Sequence, residues 1–190
     1  NWDTRHKIDS VGAQVFFEFW RIARDLDNLW AVPFDPADPV NTPNTLNVAD
    51  ADLAEAVRQA LADGVQILLD NGIALDAPWG EVQFSERNGE RIPIPGGSGA
   101  MLFSVITSDL IEGEGYSDIR HGNSYIQAVS WDESDCPDAN AILAYSQSSD
   151  PESDHDADAT KLYSESGWID MPFCEGARDE QEIARESIEE

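Results

Sequence analysis

The stretch SDHDADATKLYSE, Ser153 to Glu165, decides which kind of fold the rest of the chain must build. Asp154, Asp156 and Asp158 alternate, and Glu165 stands twelfth counting from Asp154. A calcium loop of the EF-hand type wants oxygen ligands at positions 1, 3 and 5 and a bidentate glutamate at 12, which would make the protein a set of helix pairs. Position 6 must be glycine for the sharp turn, yet Ala159 stands there. Position 9, usually oxygen-bearing, is Leu162, and the preceding QSSDPES cannot form an incoming helix. No second copy exists. The calcium reading therefore fails on several parts at once, and no metal ligands are assigned.

Working outward, the residues that precede it favour strands. SYIQAVSW, 124 to 131, and AILAYSQ, 141 to 147, are apolar and β-favouring, as is MLFSVIT, 101 to 107. GEVQFS alternates through Val82 and Phe84, and Arg87, Asn88 and Gly89 read as a turn. IPIPGGSG, 92 to 99, is glycine-rich but is followed by no GK[ST] and opens no helix, so it is not a phosphate loop.

The first third of the chain has the helical period instead. Val11, Val15, Phe19, Ile22 and Leu26 recur at helical spacing, widened by Phe16, Trp20 and Ala23, with Ser10 as the expected cap of a helix over 10–26. Leu53, Val57, Leu61, Val65 and Leu68 mark a second helix over 50–71, capped by Asp50 or Asn47 and ended by Gly72. Gly64 inside it costs about 1 kcal/mol relative to alanine. Between them, prolines 33, 36, 39 and 43 forbid a helix or an interior strand, while Leu29, Trp30, Val32 and Phe34 are too apolar for a free linker. An ordered arm packed on other structure is the expectation. From 175 onward an acidic tail could form a helix through Ala177, Ile183, Ala184 and Ile188, but acids at its C-terminal end oppose the helix dipole, so it should stop early.

The organisation expected is a single segment over 1–190: helix within 1–28, proline-rich arm 29–47, helix within 48–72, strands and loops 79–174, acidic tail 175–190. Two helices followed by mostly antiparallel strands make an α+β fold.

Charge narrows function. The chain carries 38 acidic and 11 basic residues, a net charge of −27, and such a chain repels phosphate backbones, which excludes nucleic acid as a partner. The same excess reads as a salt-adapted surface, since salt screens the self-repulsion it creates. Its aromatic content is too high for a disordered acidic tail. No apolar run reaches the roughly 18 to 20 residues of a membrane span, and Asn1 opens no secretory signal, which leaves a removed leader or a piece cut from a longer precursor. Cys136 and Cys174 permit one disulfide or two free thiols on count alone, and no Cys/His cluster supports zinc. No GxSxG elbow is present, and residue 1 is Asn, which cannot serve as an N-terminal nucleophile. The residues alone describe an acidic α+β piece without its own reaction centre.

GNSYIQAVSW (122–131), AILAYSQSSDPES (141–153), HDADATKLYSESGW (155–168) and MPFC (171–174) resemble, in order, the C-terminal end of the large chain in the penicillin acylase family, most closely its acyl-homoserine-lactone and aculeacin acylases. LWAVPFDPADPVNTP and WGEVQFS resemble segments just upstream. The residues that carry the family pattern are Gly122, Asn123, Ser124 and Tyr125, then Ser153, His155, Asp158, Thr160, Leu162 and Ser164. Asp154 replaces a proline, Asp156 a tyrosine and Ala159 a glutamine of that pattern, so the calcium-like rhythm is an accident of acidic substitution.

The resemblance implies part of an αββα N-terminal-nucleophile hydrolase scaffold. It implies a periplasmic or secreted amidase, self-cleaved from a precursor, acting in quorum quenching or antibiotic biosynthesis. Its serine nucleophile and oxyanion donors lie upstream of the region that matches, so no catalytic residue and no cofactor falls on this chain. The motif residues are then structural. The expected partners are the remaining segments of the same precursor, namely the small chain and the N-terminal part of the large chain. An oxidising setting makes a Cys136–Cys174 bridge the expected state. The rival reading is a non-catalytic acidic module, salt-adapted or cation-binding.

Overall fold

The computed structural model describes residues 3–98, 104–131, 133 and 136–182. The chain forms two compact units: residues 1–84 with 93–120, and residues 85–92 with 121–190. Helices and small antiparallel sheets together make it α+β.

In the first unit, helix α1 spans Ala13–Ala23 and α2 spans Ala51–Asp70. Asp50 caps α2, its carboxylate accepting from the amides of Asp52 and Leu53, and Gly72 follows the helix end in the left-handed conformation. The first helix is shorter than its apolar spacing predicts. Ser10 does not cap it; Gly12, left-handed, holds that place without a side-chain bond. Ser10 is buried instead, its hydroxyl accepting from the amide of Lys7 and donating to Asp3, its carbonyl accepting from the amide of Trp79.

The buried stripes also differ from the apolar pattern. On α1 the deepest residues are Ala13, Gln14, Glu18 and Ala23, while Val11 is exposed. On α2 they are Leu53, Ala60, Gly64 and Leu68, with Leu61 exposed. The reason is the helix crossing. A Cβ on Gly64 would lie 2.7 Å from the backbone nitrogen of Phe19 and 3.0 Å from the carbonyl carbon of Glu18, so the helices approach backbone to backbone there. Gly64→Ala should therefore destabilise by about 2 kcal/mol, overpacking outweighing the roughly 1 kcal/mol gained in helix propensity. Urea denaturation checks this, and an unchanged or higher midpoint would contradict the crossing.

The WGEVQFS stretch departs from the strand expected of it. Trp79–Val82 forms one helical turn, α3, and the strand β1 begins only at Phe84, running to Arg87. Pro78 pre-sets the turn's entry, and the amides of Trp79 and Gly80 are taken by Ser10 and Ile8 carbonyls rather than by a ladder. Leu68, Ile73, Ala77 and Val82 form a core cluster, with Val15 and Leu110 against it. Gln83, almost fully buried, donates to the carbonyls of Ile94 and Gly96 and accepts from the Ser108 hydroxyl at 2.8 Å. It thereby fastens the IPIPGG loop to β3, Ile106–Leu110, which pairs with β4, Ser117–Gly122. Residues 101–103 of the predicted MLFSVIT strand lie outside the described residues.

The proline-rich arm is ordered by its own turns. Trp30 bridges to Leu46, the amide of Ala31 donates to Thr45 and that of Asn47 to Leu29. Of the arm only Leu29 is buried; Val32, Phe34 and Val40 are exposed, so among the described residues the arm packs at its base.

In the second unit, β2 (Glu90–Pro93) pairs with β1 through Asn88 and Gly89, both left-handed, the backbone a two-residue hairpin turn requires. β5 (Tyr125–Ser130), β6 (Asp138–Leu143) and β7 (Ile169–Asp170) form an antiparallel sheet in that order. Helix α4, Asp158–Ser164, packs against β6. Helix α5, Glu175–Gln181, stops early; Ile183, Ala184 and Ile188 lie outside the described residues. Cys136 and Cys174 are joined as a disulfide, Cα atoms 5.9 Å apart.

Candidate functional site

The motif residues divide into two groups. Gly122 ends β4 and Tyr125 opens β5; between them the Ser124 carbonyl accepts from the amide of Ala144, which extends the β5–β6 ladder. This group serves strand pairing.

The second group forms a turn leading into α4. The Ser153 hydroxyl accepts from the amide of His155, and the Ser153 carbonyl from that of Asp156. His155 Nδ1 lies 2.8 Å from Asp158 Oδ2, and Asp158 also accepts from the amide of Ala159. Thr160, fully buried, is held by Ser146: its amide donates to the Ser146 hydroxyl at 2.9 Å, and the two hydroxyls are 3.0 Å apart. Ser146 sits at a left-handed φ of 62°, which aims its side chain at the first turn of the helix. Leu162 is half-buried and its carbonyl accepts from the amide of Gly167; Ser164 is buried.

A second clasp comes from the hairpin turn. Asn88 donates from Nδ2 to the Pro151 carbonyl at 2.9 Å and to Asp156 at 3.3 Å. Asp156 is buried, so this donor answers a carboxylate withdrawn from water. Arg87 donates to the Tyr145 carbonyl, and Lys161 pairs with Glu90 at 2.6 Å.

Ser146 and Asn88 are the residues sequence reading missed. Ser146 looks like any serine, and its value comes from a contact fourteen positions away. The Asn-Gly pair is legible as a hairpin turn, but not as the donor to a loop more than sixty residues later.

This cluster holds a loop; it is not a hydrolytic centre. In a serine triad the imidazole stands between hydroxyl and carboxylate. Here His155 is hydrogen-bonded to Asp158 while the Ser146 hydroxyl is engaged by Thr160, so no imidazole links hydroxyl and carboxylate. The supposed calcium ligands are also dispersed: Asp156 is bound to Asn88 and Asp158 to His155, and among the described residues no group of three metal-ligating side chains converges.

The hydrogen bond and charge of Asp158 hold the His155 imidazolium above its ordinary value of 6.5, and His155 holds Asp158 below 3.8. The imidazole's contribution is full below 6.5 and lost as pH rises through the raised value; the carboxylate's is full above 3.8 and lost as pH falls through the lowered one. Both are present between those two ordinary values. By NMR titration, His155 should titrate above 6.5, and Asp158→Asn should return it to about that value. An unmoved titration would dismiss the pair.

The first unit contains an acidic cleft of about 430 Å³ lined by Glu18, Arg21, Ile67, Asn71, Asp109 and Glu112 among others. Asn71 is engaged on both atoms of its amide, donating to the Ile67 carbonyl and accepting from the amide of Gly113. Glu18 is buried, with Arg21 3.6 Å away. Burial raises its carboxyl above 4.5, and Arg21 offsets part of that rise. A raised acid penalises the folded state only where it must ionise: not below 4.5, increasingly as pH rises through the raised value, and fully above it. Glu18→Gln should thus raise the melting temperature at pH 7 and leave it nearly unchanged at pH 4. An equal change at both would show that charge is not the cause. Among the described residues lining the cleft there is no serine, threonine or cysteine.

Against this geometry stand the relatives. The penicillin amidase family profile matches residues 1–180. The chain is 33% identical over 176 residues to the acyl-homoserine lactone acylase PvdQ of Pseudomonas syringae pv. syringae, covering 92% of this chain and 22% of that protein. It is 34% identical over 176 residues to the enzyme of the same name from Pseudomonas fluorescens strain Pf0-1, again covering 92% and 22%. It is 38% identical over 178 residues to the aculeacin-A acylase of Actinoplanes utahensis, covering 91% and 21%. The chain therefore spans about a fifth of the length of the relatives it matches. With nearly its whole length matched, the chain belongs to the penicillin amidase family.

Proposed function

We propose that this chain is the C-terminal portion of the large chain of a penicillin-acylase-type amidase, which hydrolyses the amide bond of N-acyl compounds such as an acyl-homoserine lactone or an acylated antibiotic. The observation that carries this reading is the proportion of the match: 92% of the chain aligns with 22% of an acylase. A family member of that size has room for its reactive centre elsewhere. The clasped loop and the acidic cleft supply none. The nucleophile and oxyanion donors are then contributed by the small chain and the N-terminal part of the large chain. These 190 residues supply scaffold to an αββα N-terminal-nucleophile body in a periplasmic or secreted enzyme.

The test is an assay against an acyl-homoserine lactone, run on this chain alone and on the assembled enzyme that contains it. Hydrolysis by the assembled enzyme alone is the expected result. Turnover by the isolated chain would overturn the placement of the chemistry, and no hydrolysis of any N-acyl amide by the assembly would overturn the function.

A further inference from the structure

The β5–β6–β7 sheet has two unlike faces. Ile126 and Ile142, directly opposite each other, are 7% and 2% exposed and mark the covered end of one face, whose Ser130, Asp138 and Asp170 positions are polar and exposed. On the other face Tyr125 stands opposite Leu143, Val129 opposite Ala139, and Ile169 opposite Ala141. Tyr125, Leu143, Ile169 and Met171 line an apolar groove of about 170 Å³ along it. Tyr125 and Met171 are exposed, and Trp131 and Phe173, at 74% and 68% exposed, stand just beyond the ends of β5 and β7.

Charge is missing where the chain has most to spare. The molecule carries 38 acidic residues, yet β5 reads YIQAVS, without a charge. Asp138 and Asp170 take positions that alternate onto the opposite face, as the two-residue period of a strand requires. Depletion of charge with retention of aromatic and aliphatic groups marks the centre of a protein interface rather than a solvated surface. A salt-adapted surface would do the reverse. The relatives carry about four fifths of their length outside the matched region, so a covering body belongs to the same kind of molecule.

We infer that this sheet face, centred on Tyr125, Val129, Ile169 and Met171, is the surface on which the rest of the same acylase polypeptide docks, through an apolar and uncharged strip of its own. The inference rests on the functional reading above only in taking the chain as part of a larger acylase.

The experiment places a photo-reactive benzophenone amino acid at position 125 of the full-length enzyme, illuminates it and identifies the cross-linked peptide by mass spectrometry. The expected product is a cross-link to a peptide of the same precursor outside these 190 residues. A cross-link to a second copy, to another protein, or reaction with solvent alone would each overturn the proposal. If the substituted enzyme does not fold, the same probe at position 129 gives the answer. Amide hydrolysis is measured separately on the unsubstituted enzyme. The cross-link without hydrolysis defeats the proposed function and leaves the docking face standing; hydrolysis without the cross-link does the opposite.

Discussion

Opening the Cys136–Cys174 bridge is expected to lower the stability of the second unit by about 4 kcal/mol, from the loop-closure entropy of a 38-residue separation. The position of the bridge explains why so much depends on it. The register that sets Asn140 against Asp170, continued outward, sets Cys136 against Cys174. The Met171 amide still donates to the Ala139 carbonyl between them. β7 itself is only two residues long, too short to hold an edge by its ladder alone. The disulfide therefore closes the β6–β7 pairing where hydrogen bonds run out. Urea denaturation with and without reductant, and of Cys136→Ala combined with Cys174→Ala, measures the effect. A loss under about 1 kcal/mol would mean that the unfolded chain gains little freedom when the bridge is opened. A thiol count on the unfolded, unreduced protein should find none, and two free sulfhydryls would remove the premise.

Trp79→Ala is expected to cost about 3 to 5 kcal/mol, the range for deleting a large buried aromatic. Trp79 is 1% exposed, with the His6 ring edge-on at 4.7 Å and the Phe17 ring edge-on at 5.5 Å. Its backbone is bonded as fully as its ring is packed: the amide donates to Ser10, and the carbonyl accepts from the Gln14 side chain and the Gln83 amide. The indole Nε1 is buried with no hydrogen-bond partner among the described residues, a cost the native protein already bears. Trp79→Phe removes that orphan while keeping an aromatic ring, so its loss should be only about 1 kcal/mol. A loss for Trp79→Phe as large as that for Trp79→Ala would show that the retained ring does not recover the packing of the indole.

The same tryptophan shows where the sequence could be read and where it could not. Elements whose interior is repeated along the chain were legible. β5 follows its apolar run, and α2 follows its period between Asp50 and Gly72, whereas β6 begins three residues before the AILAYSQ run and ends at Leu143. Elements decided by one distant neighbour were not. Val82 and Phe84 alternate as in a strand, but Ser10 and Ile8 claim the amides of Trp79 and Gly80, and Trp79–Val82 forms a helical turn. Leu61 fits the helical stripe better than Gly64, yet the close approach of α1 selects the residue without a side chain. Gln14 and Glu18 look like solvent-facing positions and are buried.

The candidate site divides in the same way. The spacing of His155 and Asp158 is local, three residues across one turn, and a sequence shows it directly. The Ser146 and Asn88 contacts depend on how strands and hairpin are folded together, and nothing near either residue announces them. Asp154 and Asp156 illustrate the hazard of pattern alone. They sit two apart in the chain, but one is exposed and the other buried against Asn88.

The Asn88 clasp carries a last consequence for anyone cutting this protein apart. The unit that holds the clasped loop borrows residues 85–92 from the first half of the chain, so the backbone passes from one unit to the other three times. A truncation beginning at His121 would retain β5, β6, β7 and α4 and look complete on paper. It would nonetheless strand the buried Asp156 carboxylate without the amide that answers it, because that amide is encoded some seventy positions upstream. Each unit is assembled from two separate stretches of sequence, and no pair of primers can cut out either one whole.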